Sequence, residues 1–249
     1  MAGSRQLEGK VALVTGATRG IGAAVATRLA ADGAAVAFTY SKSAEEAAAV
    51  QAAIKAAGGR AMALKADSED AQAVGKALAA AAEAFGKIDI LVNNAGIMTI
   101  APLEQLTVAD FDRMVAVNVR GLFVAAKAAT EHLSSGGRIV AIGSITALKT
   151  GFPGASVYAM TKAAVAALAR GLAIELAPRG ITVNTVHPGP TATERNPDHG
   201  PMAEVIKQHI PLRRYARVEE IAALVAHLVG PEAGFITGAA FTIDGGAMA

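Results

Sequence analysis

The sequence of 249 residues contains no cysteine, and its net charge is only +2. Without thiols there is no disulfide and no thiolate metal ligand, which fits a cytoplasmic protein. The five histidines, His132, His187, His199, His209 and His227, fall at no metal-ligand spacing, so no metal is expected and each reads as a surface or packing residue. Weak net charge and scattered basic residues argue against nucleic acid as a partner. No run approaches the ~18 uninterrupted apolar residues of a membrane span, so no membrane partner is expected although 53% of the residues are hydrophobic. Met1–Lys10 has no apolar core of the kind a secretory signal needs. A small molecule is left as the expected partner.

Glycine and proline are spread evenly and no low-complexity stretch or repeat divides the chain, so residues 1–249 read as one domain. Short β-branched or apolar runs alternate with alanine-rich helical patterns. Val11–Thr15, Ala35–Thr39, Ala61–Lys65, Ile88–Asn93, Arg138–Ile142, Thr182–His187 and Ala240–Ile243 read as strands. Gly20–Asp32, Ala44–Ala57, Glu69–Phe85, Val108–Leu133, Val157–Ala177 and Val218–Val229 read as helices. Strands that are apolar throughout and separated by helix-length crossovers predict a doubly wound, parallel, seven-stranded α/β sheet with helices on both faces. The segment 188–210, rich in Pro, Thr, Asn and Gly, is too long for an ordinary connection and reads as a lid over a site.

Directly after the first strand stands Thr15-Gly16-Ala17-Thr18-Arg19-Gly20-Ile21-Gly22, leading into a helix. Glycines there allow close backbone approach, and the helix N-terminus offers free N–H groups and a positive dipole end to a pyrophosphate. An acid at the end of the second strand would bind a ribose diol and repel a 2′-phosphate. The chain instead has Tyr40-Ser41-Lys42, which together with Arg19 suits a phosphate dianion, so NADP(H) is expected over NAD(H). Arg19 and Lys42 are otherwise ordinary solvated charges.

Tyr158 and Lys162 stand at i and i+4 in a helical stretch and therefore share a face. A tyrosine with an ordinary pKa near 10 is a poor acid or base at neutrality, and an adjacent ammonium stabilises the phenolate. Ser144 follows the strand ending at Ile142, at the strand end where open α/β sheets place their sites. Asn93-Asn94-Ala95-Gly96 closes another strand, and Asn118 lies in an apolar helix, where its amide needs a partner.

These motifs, taken in order with Pro188-Gly189 and the closing Gly238–Gly246 stretch, resemble the short-chain dehydrogenase/reductase family over nearly the whole chain. The resemblance implies the Rossmann fold and a carbonyl–alcohol oxidoreductase in which Tyr158 gives or takes the proton and Ser144 hydrogen-bonds the substrate oxygen. It further implies that Lys162 lowers the tyrosine pKa and holds the nicotinamide ribose, while Asn118 supports a water relay to Lys162. Asp67 and Ser68 would meet the adenine, Asn94, Ala95 and Gly96 the adenosine ribose, and Thr191 and Thr193 the carboxamide. A homotetramer built through the long helices is implied as well. Ser144 and Tyr158 are fourteen positions apart, one more than the family usually has, which bears on the shape of the substrate site.

Similar sequences include 3-oxoacyl-carrier-protein reductases, which dock an acidic carrier through basic residues. Here Ser134-Ser135-Gly136-Gly137 is neutral and Arg179 is left as a possible contact, so a small ketone, aldehyde or polyol-derived carbonyl is the main reading. Ile145, Met98, Phe152 and Met202 are candidates for an apolar lining. The stretch Pro188–Met202 also resembles a bacterial relative that binds cyclic-di-GMP, with Arg195 as a possible phosphate contact.

Overall fold

The structure is a computed structural model describing residues 5–249, so Met1–Lys10, read above as lacking a secretory signal, is seen from Arg5 onward. Seven strands form one sheet: β1 (Val11–Val14), β2 (Ala35–Tyr40), β3 (Arg60–Lys65), β4 (Ile88–Asn93), β5 (Leu133–Ile142), β6 (Thr182–Pro188) and β7 (Ala240–Ile243). Their order is β3-β2-β1-β4-β5-β6-β7, and every pairing is parallel. This is the doubly wound Rossmann arrangement the alternation of patterns predicts.

Side chains on a strand alternate between faces, so each apolar strand feeds two cores. Ala12, Val14, Ile90 and Val92 join Val25 and Leu29 of helix α1 (Gly20–Ala31) and Ile221 and Val225 of the late helix Val218–Val229. Leu13 and Leu91 join the opposite core, with Leu78 of helix α3 (Ala71–Phe85), Ala126 and Ala169. Between these, helix α2 (Ala44–Ala56) crosses from β2 to β3.

The expected helix Val108–Leu133 is three pieces: α4 (Val108–Val115), a π-helical turn at Ala116–Arg120, and α5 (Gly121–Thr130). Leu133 belongs to β5, whose pairing with β4 passes from Ile88↔Leu133 to Ile90↔Arg138. Ser134–Gly137 is therefore a bulge inside a strand rather than a free turn. Helix α6 (Ser156–Leu176) packs along β6, although the stretch Ser156–Arg179 is long and apolar enough to cross a bilayer by length and composition. The segment 188–210 is not irregular throughout: Pro201 occupies the first turn of helix α7 (Pro201–Gln208), before α8 (Val218–Val229).

Candidate active site

In a parallel sheet the connections after β1, β2, β3, β4 and β6 converge at the strands' carboxyl ends, where β1 and β4 diverge to opposite halves of the order. A cavity of about 390 Å³ lies there. Fifteen of the expected cofactor residues line it: Gly16, Thr18, Arg19, Gly20, Ile21, Gly22, Tyr40, Ser41, Lys42, Asp67, Ser68, Asn94, Ala95, Gly96 and Thr193. Pro188, Gly189 and Thr191 are not among its walls; Thr191 is buried, with its hydroxyl donating to the Gly189 carbonyl at 2.9 Å. Arg113, Glu69, Glu194 and Arg195 also line the cleft. Arg195 was considered above only for a different ligand, and the other three carry no local sequence signal.

The walls could hold a phosphorylated nucleotide. Helix α1 has Arg19 at its N-cap with no side-chain hydrogen bond there, so no side chain blocks its first amides from the cleft. Gly22 permits the turn to close on Asn94: a Cβ at Gly22 would overlap the Asn94 amide and the Gly16 carbonyl. The Asn94 amide nitrogen donates to the carbonyls of Thr15 (3.0 Å) and Gly16 (2.8 Å), and the Thr15 hydroxyl accepts the N–H groups of Asn94 and Ala95, both at 3.0 Å. Asn94 thus braces the glycine-rich turn as well as facing the cleft. No acid ends β2: Tyr40 is half-buried there, Ser41 and Lys42 are exposed, and Arg19 pairs across the cleft with Glu194 of the 188–210 segment at 3.7 Å.

Asn118, Ser144, Tyr158 and Lys162 gather at the same edge of the sheet. Asn118 is buried in the π turn; it donates to the Ile97 carbonyl (2.9 Å) and the Thr161 hydroxyl (3.0 Å), and its oxygen accepts the Ile97 N–H (2.8 Å). Thr161 in turn donates to the Tyr158 carbonyl at 2.8 Å. The partner that a buried amide requires is therefore present, and it ties the chain after β4 to α6. Asn118 and Lys162 also line one small cavity, with Gly96 between them.

The Ser144 hydroxyl accepts the Thr146 N–H at 3.2 Å and the Thr146 hydroxyl at 2.8 Å. Both lone pairs are then engaged, and its own proton is left to donate. Burial pushes the Tyr158 phenol up, opposed by a hydrogen bond with Ser144. Lys162 is buried, its ammonium donating to the Ile142 carbonyl at 2.8 Å and lying 5.9 Å from the Tyr158 ring centre. Burial brings that lysine down to about 8. The expected lowering of the Tyr158 pKa by Lys162 is not among the influences on the phenol here: desolvation dominates, and the ammonium is held by the Ile142 carbonyl at the end of β5.

A glycine-rich turn feeding a helix at one side of this edge, and a serine, tyrosine and lysine at the other, define the short-chain class of dehydrogenases and reductases. Residues 16–248 match the family model described as enoyl-(acyl carrier protein) reductase, and the chain belongs to that short-chain dehydrogenase/reductase family of oxidoreductases. A short-chain dehydrogenase from Burkholderia cenocepacia, solved in complex with NADP, is 54% identical, with a TM-score of 0.96 over 98% of this chain and 100% of that one. The 3-oxoacyl-[acyl-carrier-protein] reductase of Synechocystis is 41% identical over 243 residues, 96% of this chain and 97% of its own. The cyclic-di-GMP-binding biofilm dispersal mediator protein of Escherichia coli is 40% identical over 237 residues, covering 95% and 96%.

The buried lysine makes a stability prediction. Its ammonium is disfavoured in the folded state, so the penalty is fully present below about pH 8 and is lifted as pH rises toward the ordinary lysine value of 10.5. In urea titrations without nucleotide, the wild-type protein should gain stability relative to Lys162→Met across that window. A difference between the two proteins that stays constant with pH would contradict the assignment.

Proposed function

We propose that the protein is an NADP(H)-dependent carbonyl reductase acting on a small ketone or aldehyde, and on the matching alcohol in reverse. The observation that carries the reading is the Ser144 hydroxyl, which accepts twice from Thr146 and directs its proton toward Tyr158, so that a substrate oxygen taking that proton lies beside the phenol. The cleft over Gly16–Gly22 holds the dinucleotide, with Arg19, Tyr40, Ser41 and Lys42 around its 2′-phosphate and Asp67 and Ser68 toward its adenine. Bound there, NADPH supplies a hydride to the carbonyl carbon. Tyr158, kept as a neutral phenol by burial, protonates the developing alkoxide, and Ser144 donates the second hydrogen bond to it. Lys162 restores charge balance at Tyr158 and meets the nicotinamide ribose, and Asn118 holds the geometry of α6 and supports proton return to Lys162. Pro188, Gly189, Thr191 and Thr193 form the nicotinamide side, and residues 188–210 close over it as a lid on the single domain.

Among substrates, an acyl carrier is disfavoured. The Arg179 guanidinium donates to the carbonyls of Thr130 (2.8 Å) and Leu133 (2.6 Å), which employs its charge within the fold. Met98, Phe152 and Met202 are exposed and suit an apolar carbonyl compound. Arg195 gives a second reading its footing: because it lines the same cleft, a cyclic dinucleotide would compete with NADPH for it. A homotetramer is proposed from exposed apolar side chains on α4, α5 and α6, Val108, Phe123 and Ile174, and from Phe235 near the C-terminus.

Fluorescence titration should show NADPH binding more tightly than NADH. Arg19→Ala or Lys42→Ala should each weaken NADPH about tenfold, the scale of one charge-assisted hydrogen bond, and leave NADH nearly unchanged. Tyr158→Phe should reduce turnover on a panel of ketones and aldehydes by roughly 10²-fold or more while keeping NADPH affinity; near-normal turnover would sink the assignment. Size-exclusion chromatography with light scattering should give four copies, and a monomer at micromolar concentration would remove the oligomer proposal.

A further inference from the structure

His187 is fully buried on β6, one residue before Pro188. The β5–β6 ladder reaches Gly143, whose N–H donates to the Val186 carbonyl at 2.7 Å. The next rung in a parallel ladder would need an N–H from residue 188, and proline has none. Main-chain pairing therefore stops one residue short of Ser144. Beyond that point the Ser144 N–H donates to the Nδ1 atom of His187, at 3.1 Å. Gly143 makes the approach possible, because a Cβ there would collide with the imidazole.

A backbone amide is always a donor, so Nδ1 is the acceptor and the ring proton sits on Nε2. Nε2 is buried without a hydrogen-bonding partner among the described residues. An unpaired N–H in that position is unfavourable, and an apolar side chain of similar size would fill the strand without it. What the imidazole adds is the acceptor for Ser144. Burial pushes its pKa down, which keeps the ring neutral and Nδ1 able to accept near pH 7.

We propose that His187 is a positioning residue for the reaction: by accepting the Ser144 N–H it fixes the backbone that carries the Ser144 hydroxyl, so that this hydroxyl meets the substrate oxygen. The hydroxyl is then held from both sides, by His187 through the main chain and by Thr146 through its acceptor sites. This inference rests on the reading of Ser144 as the donor to that oxygen.

The test compares His187→Leu, which removes the acceptor, with His187→Asn, whose amide oxygen can replace Nδ1. On the most readily reduced ketone of the panel, His187→Leu should lower kcat about tenfold, the scale of one lost hydrogen bond. NADPH affinity should be unchanged in the same protein, and His187→Asn should recover most of the rate. Wild-type kcat in folded His187→Leu, or an Asn variant as slow as the Leu variant, would overturn the positioning role. If the Leu variant does not fold, the ¹⁵N shifts of the wild-type imidazole decide: an unprotonated Nδ1 with a protonated Nε2 supports the proposal, and the opposite tautomer overturns it. Ser144→Ala measured alongside separates the two layers. Undiminished turnover in Ser144→Ala would remove the underlying reading of Ser144, whereas a crippled Ser144→Ala beside a fully active His187→Leu would overturn only the role of His187.

Discussion

Where parallel strands end, their last N–H and C=O groups must find partners outside the ladder, because buried unpaired main-chain groups are costly. In this protein those partners are the side chains of the site. The Thr15 hydroxyl and the Asn94 amide join the ends of β1 and β4, the Lys162 ammonium takes the Ile142 carbonyl at the end of β5, and His187 takes the Ser144 N–H just beyond it. Asn118 does the same for Ile97 after β4. The edge of the sheet and the candidate active site are therefore one hydrogen-bonded structure, and a change in either is felt in the other.

The electrostatics follow from this arrangement. Lys162 gives its hydrogen bond to a carbonyl and lies in a dry place, so its ammonium is weakened and Tyr158 stays a neutral phenol. A neutral phenol is the form that gives a proton to an alkoxide. The nucleotide cleft is the opposite kind of environment, with Arg19, Lys42, Arg113 and Arg195 on its walls against Asp67, Glu69 and Glu194. Arg19 is engaged by Glu194 and Arg113 by Glu69 at 2.8 Å, so a phosphate entering the cleft meets two cations that already have partners.

Much of this was legible in the sequence because apolar runs and helical spacings are local. All seven strands are where those patterns place them, with β5 beginning five residues early, and the long helix α6 matches its expected span to within a residue. The helix over Val108–Leu133 misled because alanine-rich spacing continues unbroken through the π turn that seats Asn118. Proline and glycine made 188–210 read as loop, yet Pro201 is compatible with the first turn of a helix and begins α7 there. Most of the fifteen expected cofactor residues are in the cleft because they follow the ends of strands, a position that periodicity gives directly, while Gly20, Ile21 and Gly22 open helix α1 and Thr193 comes from the 188–210 segment. Pro188, Gly189 and Thr191 are not among the cleft's walls, and Thr191 is buried with its hydroxyl on the Gly189 carbonyl. Thr146 and His187 could not be found by local pattern: their roles depend on how β5 meets β6 in space.

Hydride transfer between a nicotinamide and a carbonyl carbon is the step proposed for this edge. The direct measurement is to incubate the protein with NADPH deuterated at nicotinamide C4, using each C4 epimer in turn, and a panel of ketones and aldehydes, and to locate deuterium in the alcohol by mass spectrometry. An alcohol labelled at its carbinol carbon from one epimer and unlabelled from the other is expected. No alcohol from any carbonyl, or an alcohol unlabelled with both epimers, would contradict that step.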